Sequence, residues 1–263
     1  MDLGLTGKVA LVCGASSGLG EAVAVALAAE GAHLSICARR QGELERVRDA
    51  IAASGGRPPV VTVGDLAAER DVDAVARAAL AAWGRVDVLV NNTGGPPAGA
   101  FDELDAAAWR RAADLLLMSV VEMTRRLLPG MKERRWGRVI TITSMAVKQP
   151  LDGLMLSNSL RAAVTGFTRT LANEVAPFGV TVNNVLPGYT RTARLDDLAR
   201  GTAKRRGVET SEVFTKWESD VPMKRLGRPE ELAALVAFLA SERASYITGT
   251  SVPVDGGWTR GLF

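Results

Sequence analysis

The chain has 263 residues, with one His, two Cys and two Tyr. A structural zinc centre takes four Cys or His ligands, and only Cys13, His33 and Cys37 are present, so zinc is excluded, as is any His-based triad not built on His33. Apolar residues make up 47%, charged residues 23% and the net charge is +3, a globular and mildly basic composition with its arginines spread along the chain, which argues against nucleic-acid binding.

Short apolar runs alternate with helical patterns from end to end. Residues 8–13 (KVALVC) predict a strand that stops at Gly14, and 21–30 a helix. Strands at 33–37, 60–63 and 86–90 alternate with helices at 42–54 and 69–83. A long helix is expected from about 105 to 131, a strand at 138–143, a helix at 154–176 and a strand at 180–185. The polar stretch 193–221 carries helical pieces, followed by a helix at 230–241 and a last short strand at 250–254. This alternation defines βαβ units, which build a parallel sheet covered on both faces. The expected fold is a single-domain α/β Rossmann-type doubly wound sheet of about seven strands, spanning 1–263. Ligands of such sheets lie beyond the C-terminal strand ends. No apolar run approaches the roughly 18 residues of a membrane span, and the first is too short for a signal peptide. With two Cys, the expectation is a cytoplasmic protein and no membrane partner.

The first strand runs into Gly14-Ala15-Ser16-Ser17-Gly18-Leu19-Gly20, directly before a helix. Glycines there allow a tight turn and close approach of the backbone to phosphate, while the helix N-terminus offers free N–H groups. The context favours dinucleotide binding over a plain turn. The second strand ends in Ala38-Arg39-Arg40, without an acid. An acid there would accept from a ribose 2′-OH, whereas arginine accommodates a 2′-phosphate, so NADP(H) is expected over NAD(H). The alternative is that Arg39 and Arg40 are plain surface charges.

These motifs resemble the short-chain dehydrogenase/reductase family over almost the whole chain. The family's Thr-Gly-x-x-x-Gly-x-Gly pattern is present with Cys13 for Thr. Asp65, followed by Leu66, matches the Asp expected near the adenine, and Asn91-Asn92-Thr93-Gly94 matches Asn-Asn-Ala-Gly. Ser144 matches the serine after the fifth strand. Pro187-Gly188-Tyr189-Thr190-Arg191-Thr192 matches the Pro-Gly turn beside the nicotinamide. Within the family the chain is most similar to 3-oxoacyl-[acyl-carrier-protein] reductases. The resemblance implies cofactor contacts from Gly14, Ser16, Ser17, Gly18, Leu19, Gly20, Arg39, Arg40, Asp65, Leu66, Asn92, Thr93, Gly94, Arg161, Pro187, Gly188, Thr190 and Thr192.

The family's Asn-Ser-Tyr-Lys set is mostly replaced. Alignment on Leu128-Pro129-Gly130-Met131 puts Leu116 at the asparagine. Alignment on Arg161-Ala162-Ala163-Val164 puts Ser157 at the tyrosine and Arg161 at the lysine. The candidate catalytic residues are therefore Ser144, Ser157 and Arg161. An alcohol is a far weaker acid than a phenol, and losing a positioned general acid costs about 10²- to 10⁴-fold in rate. Tyr189 and Lys148 are surrogate-acid candidates, weighed against a packing tyrosine and a solvated lysine. The expectation is an NADP(H)-dependent reductase of a carbonyl such as a 3-oxoacyl thioester, with no metal. The alternative is a catalytically impaired nucleotide-binding protein with a sensing or assembly role. By the same resemblance, 193–221 is a substrate lid whose basic residues suit an anionic substrate or an acidic carrier protein, with a solvated helix face as the alternative. The long helices imply a homotetramer, or a dimer.

Overall fold

Strand residues that are apolar at every position, rather than at every second one, need cover on both faces of a sheet. The computed structural model, described for residues 1–262, shows that arrangement. Strands β1 (Val9–Cys13), β2 (His33–Ala38), β3 (Val60–Val63), β4 (Val88–Asn91), β5 (Gly137–Ile142), β6 (Val180–Pro187) and β7 (Ser251–Val254) form one sheet in the order β3-β2-β1-β4-β5-β6-β7. Every pairing is parallel.

The pleat divides each strand between two cores. Ala10 and Val12 of β1 meet Val23 and Leu27 of helix α1 (Gly18–Ala29) on one face. Helix α2 (Gln41–Ala53) adds Leu44 and Val47 to that face. The other face carries Val9 and Leu11 against Val72 and Val75 of α3 (Glu69–Trp83). Met123 and Leu127 of α5 (Ser119–Glu133) and Leu171 of α6 (Met155–Val175) complete it. The helix at Pro229–Ala240 returns to the first face through Leu232 and Val236.

Element order follows the sequence expectation, with three local differences. The helix expected over 105–131 is Ala106–Ala113 (α4), a π-turn Asp114–Met118, then α5. The Ser119 hydroxyl donates to the Leu115 carbonyl inside that turn, a local side-chain bond that competes with the regular helix ladder. Helix α1 starts at Gly18, earlier than expected, and β6 runs on to Pro187 because β7 pairs with it to its end. The polar stretch 193–221 folds as α7 (Ala193–Arg206) and α8 (Thr210–Asp220).

The N-terminal edge of the sheet is tied by one carboxylate. Asp87 is buried, accepts from the Val9 N–H at 3.0 Å, and pairs with Arg85 at 3.0 Å and Arg134 at 3.5 Å. Both arginines reach solvent and can re-solvate, so the cost of Asp87→Ala comes mostly from the orphaned strand N–H and the lost ion pairs. We expect about 2 kcal/mol of destabilisation in urea unfolding. An unchanged midpoint contradicts this account of the edge.

Candidate active site

The C-terminal strand ends converge on the glycine turn. Gly14 and Gly18 have φ of +62° and +58°. Gly20 is required for closeness instead, because a Cβ there would sit 2.2 Å from the Gly14 carbonyl oxygen. Ser17 precedes α1 without a side-chain cap, which leaves first-turn amides free to face an anion. Asn92, just past β4, donates from Nδ2 to the carbonyls of Cys13 and Gly14 at 3.3 and 3.4 Å and fixes the turn. Thr192 closes the far side, its methyl 3.2 Å from where a Gly18 Cβ would be. A pyrophosphate fits this cradle because small residues line it and free amides face it.

Arg39 and Arg40 are exposed at the end of β2, and neither forms an ion pair among the described residues. Arg40 Nη2 donates to Ser17 Oγ at 3.4 Å, which brings it over the glycine turn. The acids Glu21 and Glu43 are engaged by Arg46 at 2.8 and 3.2 Å. Ser16 is buried within the turn. Asp65 accepts from the Ala67 N–H at 3.1 Å, and Leu66 beside it is buried. Thr93 and Gly94 follow Asn92, Thr93 half-buried and Gly94 exposed. Gly188, after Pro187, bonds back to the Val254 carbonyl at 2.9 Å, and a Cβ there would meet Asp255 at 2.6 Å. Thr190 is buried, and Thr192 caps α7 by accepting from the Leu195 N–H at 3.3 Å.

Ser144 follows β5 and caps the short turn Met145–Val147, its Oγ accepting from the Ala146 N–H at 3.1 Å. Its own O–H is left to donate. Ser157 and Arg161 lie one turn apart on α6, as i and i+4. Ser157 is half-buried and makes no side-chain hydrogen bond among the described residues. Arg161 Nη1 donates to the Ile142 carbonyl at 3.0 Å. Burial, with the nearby Arg194 charge second, pulls the Arg161 guanidinium down to about 10. Arg161 lines a small cavity together with Asn92, Thr93, Leu116, Thr141 and Thr143. The hydroxyls of Thr141 and Thr143 have no partner there. Leu116, from the π-turn, is 3% exposed and presents an apolar side chain to this cavity. Neither Ser144 nor Ser157 lines it.

Tyr189 has a packing environment. Its ring stacks on Trp217 of α8 at 4.8 Å and meets Trp258 edge-on at 6.0 Å. Burial first, then Asp220, pushes its hydroxyl up to about 12, which makes it a poorer acid than an ordinary phenol. Lys148 is exposed. Cys13 and Cys37 are free, buried register partners on β1 and β2, and contact with Cys37 and then burial push the Cys13 thiol up. His33 stacks on Trp83 at 4.9 Å, at the opposite sheet edge.

Sequence reasoning singled out Arg161 but not Arg194. Arg194 Nη2 donates to the Pro96 carbonyl at 2.8 Å, reaching from α7 to the loop after β4. Its place directly behind the Thr192 cap was the available signal, but it lay within a basic run that reads equally as a solvated face.

A seven-stranded doubly wound sheet with a glycine cradle, an Asn staple after β4 and a Pro-Gly turn after β6 defines a dinucleotide-binding oxidoreductase fold. The family model for enoyl-(acyl carrier protein) reductase matches residues 14–259, and the chain belongs to this group of the short-chain dehydrogenase/reductases. Oxidoreductase UcpA of Escherichia coli K12 is 36% identical, over 97% of this chain and 95% of that one. The 3-oxoacyl-[acyl-carrier-protein] reductase FabG of Vibrio cholerae is 34% identical, over 97% and 98%. The crystal structure of L-sorbose reductase from Gluconobacter frateurii, complexed with NADPH and L-sorbose, superposes with a TM-score of 0.94 at 35% identity, covering 100% of both chains. Among the described residues, no helix is long and apolar enough to cross a membrane.

Proposed function

We propose that the chain is an NADP(H)-dependent reductase of carbonyl compounds, in the manner of 3-oxoacyl thioester reduction, at a site without the family's Tyr and Lys. The observation that carries the cofactor choice is the glycine cradle with two unpaired arginines at the end of β2, one already reaching over the turn. The NADPH complex of L-sorbose reductase supports the same reading. When bound, a reduced nicotinamide dinucleotide supplies the hydride.

The chain's own residues supply the rest. Amides of Ser17–Gly20 hold the pyrophosphate, and Arg39 and Arg40 hold the 2′-phosphate. Asp65 and Leu66 frame the adenine, while Asn92, Thr93 and Gly94 form the wall beside the ribose. Pro187, Gly188, Thr190 and Thr192 line the nicotinamide end. Ser144 donates its free O–H to the substrate carbonyl oxygen. Arg161 donates to ribose hydroxyls and stabilises charge developing on that oxygen, without transferring its own proton. Ser157 holds a water or a substrate oxygen in the place of the family's phenol.

Helices α7 and α8, residues 193–221, act as the substrate lid. Exposed Lys204, Arg205 and Arg206 on α7 favour an anionic substrate or an acidic carrier protein. Exposed Ala162, Ala163 and Gly166 on α6 suit close packing between subunits, in support of a homotetramer. The second reading, a nucleotide sensor or assembly protein, is supported by the buried, apolar Leu116 in the cavity beside Arg161, at the position the resemblance assigns to the family's asparagine.

Calorimetric titration tests the cofactor reading. NADPH is expected to bind at least about tenfold more tightly than NADH, and Arg40→Ala to remove most of that difference. Equal affinities in the unmodified chain defeat the NADP(H) assignment.

A further inference from the structure

Two carboxylates stand beside the glycine turn, and one arginine holds both. Glu21 lies in the first turn of α1 and Glu43 in the first turn of α2, so both sit at the strand-end side where the cofactor is placed. Glu43 is one helical turn beyond Arg40, the residue that opens α2. Arg46, half-exposed on α2, reaches across to α1. Its Nη1 and Nη2 donate to the two Glu21 carboxylate oxygens, each at 2.8 Å. Its Nε donates to Glu43 at 3.2 Å, and Nη2 also donates to the Ser16 carbonyl of the turn at 3.4 Å.

Ion pairs this exposed contribute little to fold stability. Their effect on a neighbouring phosphate is larger. A 2′-phosphate carries up to about two negative charges, and a bare carboxylate within the Debye length of about 8 Å repels it. The acids and the arginines of β2 share the turn: Arg40 bonds Ser17 Oγ at 3.4 Å, next to the Ser16 carbonyl that Arg46 holds. Without Arg46, Glu43 is free to pair with Arg40 one turn away, and Glu21 presents an uncompensated charge. With Arg46 in place, both acids are bridged, and Arg39 and Arg40 keep no carboxylate partner among the described residues.

We propose that Arg46 is a positioning residue for cofactor choice: by holding Glu21 and Glu43 it keeps Arg39 and Arg40 available to the 2′-phosphate of NADP(H) and removes the repulsion of the two acids. This rests on the NADP(H) reading above and adds the residue that sustains it. Arg46 acts through the acids and not on the nucleotide. Its effect therefore falls on NADPH, because NADH has no 2′-phosphate.

The test is titration of the full chain with NADPH and with NADH. Arg46→Met is expected to weaken NADPH binding by about tenfold and NADH binding by less than about twofold. Neutralising the acids in the same chain, as Arg46→Met/Glu21→Gln/Glu43→Gln, is expected to bring the ratio of the two affinities back to within about threefold of the parent. Arg46→Lys keeps the charge and part of the ratio. If Arg46 only holds the turn through the Ser16 carbonyl, Arg46→Met weakens both nucleotides alike and the ratio stays, which overturns the proposal. A collapsed ratio that the two glutamines do not restore also overturns it, since Arg46 then acts on the phosphate itself. Should Arg46→Met not fold, Arg46→Gln gives the same reading. Equal affinities in the unmodified chain defeat the NADP(H) reading and this proposal together, whereas an NADPH preference that survives Arg46→Met defeats this proposal alone.

Discussion

Gly20→Ala is expected to weaken NADPH binding by at least about 100-fold, or about 2.7 kcal/mol. The added methyl would lie 2.2 Å from the Gly14 carbonyl oxygen and 2.9 Å from Asn92 Nδ2. Neither atom is the free end of a flexible side chain. The Gly14 oxygen belongs to the turn itself, and Asn92 is held by the carbonyls of Cys13 and Gly14. The turn must open, and the first amides of α1 then lose their aim at the pyrophosphate. Gly42→Ala is the matching control, since a Cβ there meets nothing within 4 Å and the position is inside α2. It should leave binding intact and raise stability by about 0.5–1 kcal/mol. Fluorescence titration with NADPH checks both. Native-like affinity in Gly20→Ala means that the turn does not hold the nucleotide.

Arg161→Met is expected to separate stability from activity. The Arg161 guanidinium is deep, has no carboxylate partner, and makes one hydrogen bond, to the Ile142 carbonyl at 3.0 Å. Burial lowers its folded-state value to about 10, well below the ordinary arginine range. A base shifted downward in the folded state penalises folding wherever both states are protonated, that is, at every pH below about 10. The penalty falls as pH rises through that value, because the folded chain releases the proton first. Methionine at position 161 removes the penalty at neutral pH and gives up one hydrogen bond. Stability should therefore stay within about 1 kcal/mol of the parent or rise. Turnover should fall by about 100-fold or more in kcat/KM, from the loss of a donor at the developing oxyanion. A structural arginine gives the reverse pattern, with large destabilisation and modest loss of rate. Urea unfolding alongside steady-state NADPH oxidation distinguishes the two.

Much of this architecture is written locally. Runs such as VALVC carry no alternation, so they specify strands covered on both faces, and the turn glycines mark where strands hand over to helices. The phosphate cradle is legible for the same reason, since Gly14, Gly18 and Gly20 are neighbours in sequence. What escaped depends on distant partners. The π-turn at Asp114–Met118 interrupts an apolar pattern that is helical on its face. For Tyr189 the packing reading, already weighed against a surrogate acid, is decided by Trp217 and Trp258, which belong to other parts of the chain. Arg194 is one of several arginines in a basic stretch until its contact with the Pro96 carbonyl sets it apart.

The proposed function requires that a short-chain reductase site with Ser157 and Arg161 at the positions the resemblance assigns to the family's Tyr and Lys reduces a carbonyl. Hydride transfer from NADPH deuterated at the nicotinamide C4, in each epimer, tests it against oxo acids, their esters and 3-oxoacyl thioesters. The expected result is deuterium on the new carbinol carbon from one epimer only, with the signal lost in Arg161→Met. Tight NADPH binding with no deuterium transferred to any carbonyl in the panel contradicts the claim and leaves a nucleotide-binding protein without this chemistry.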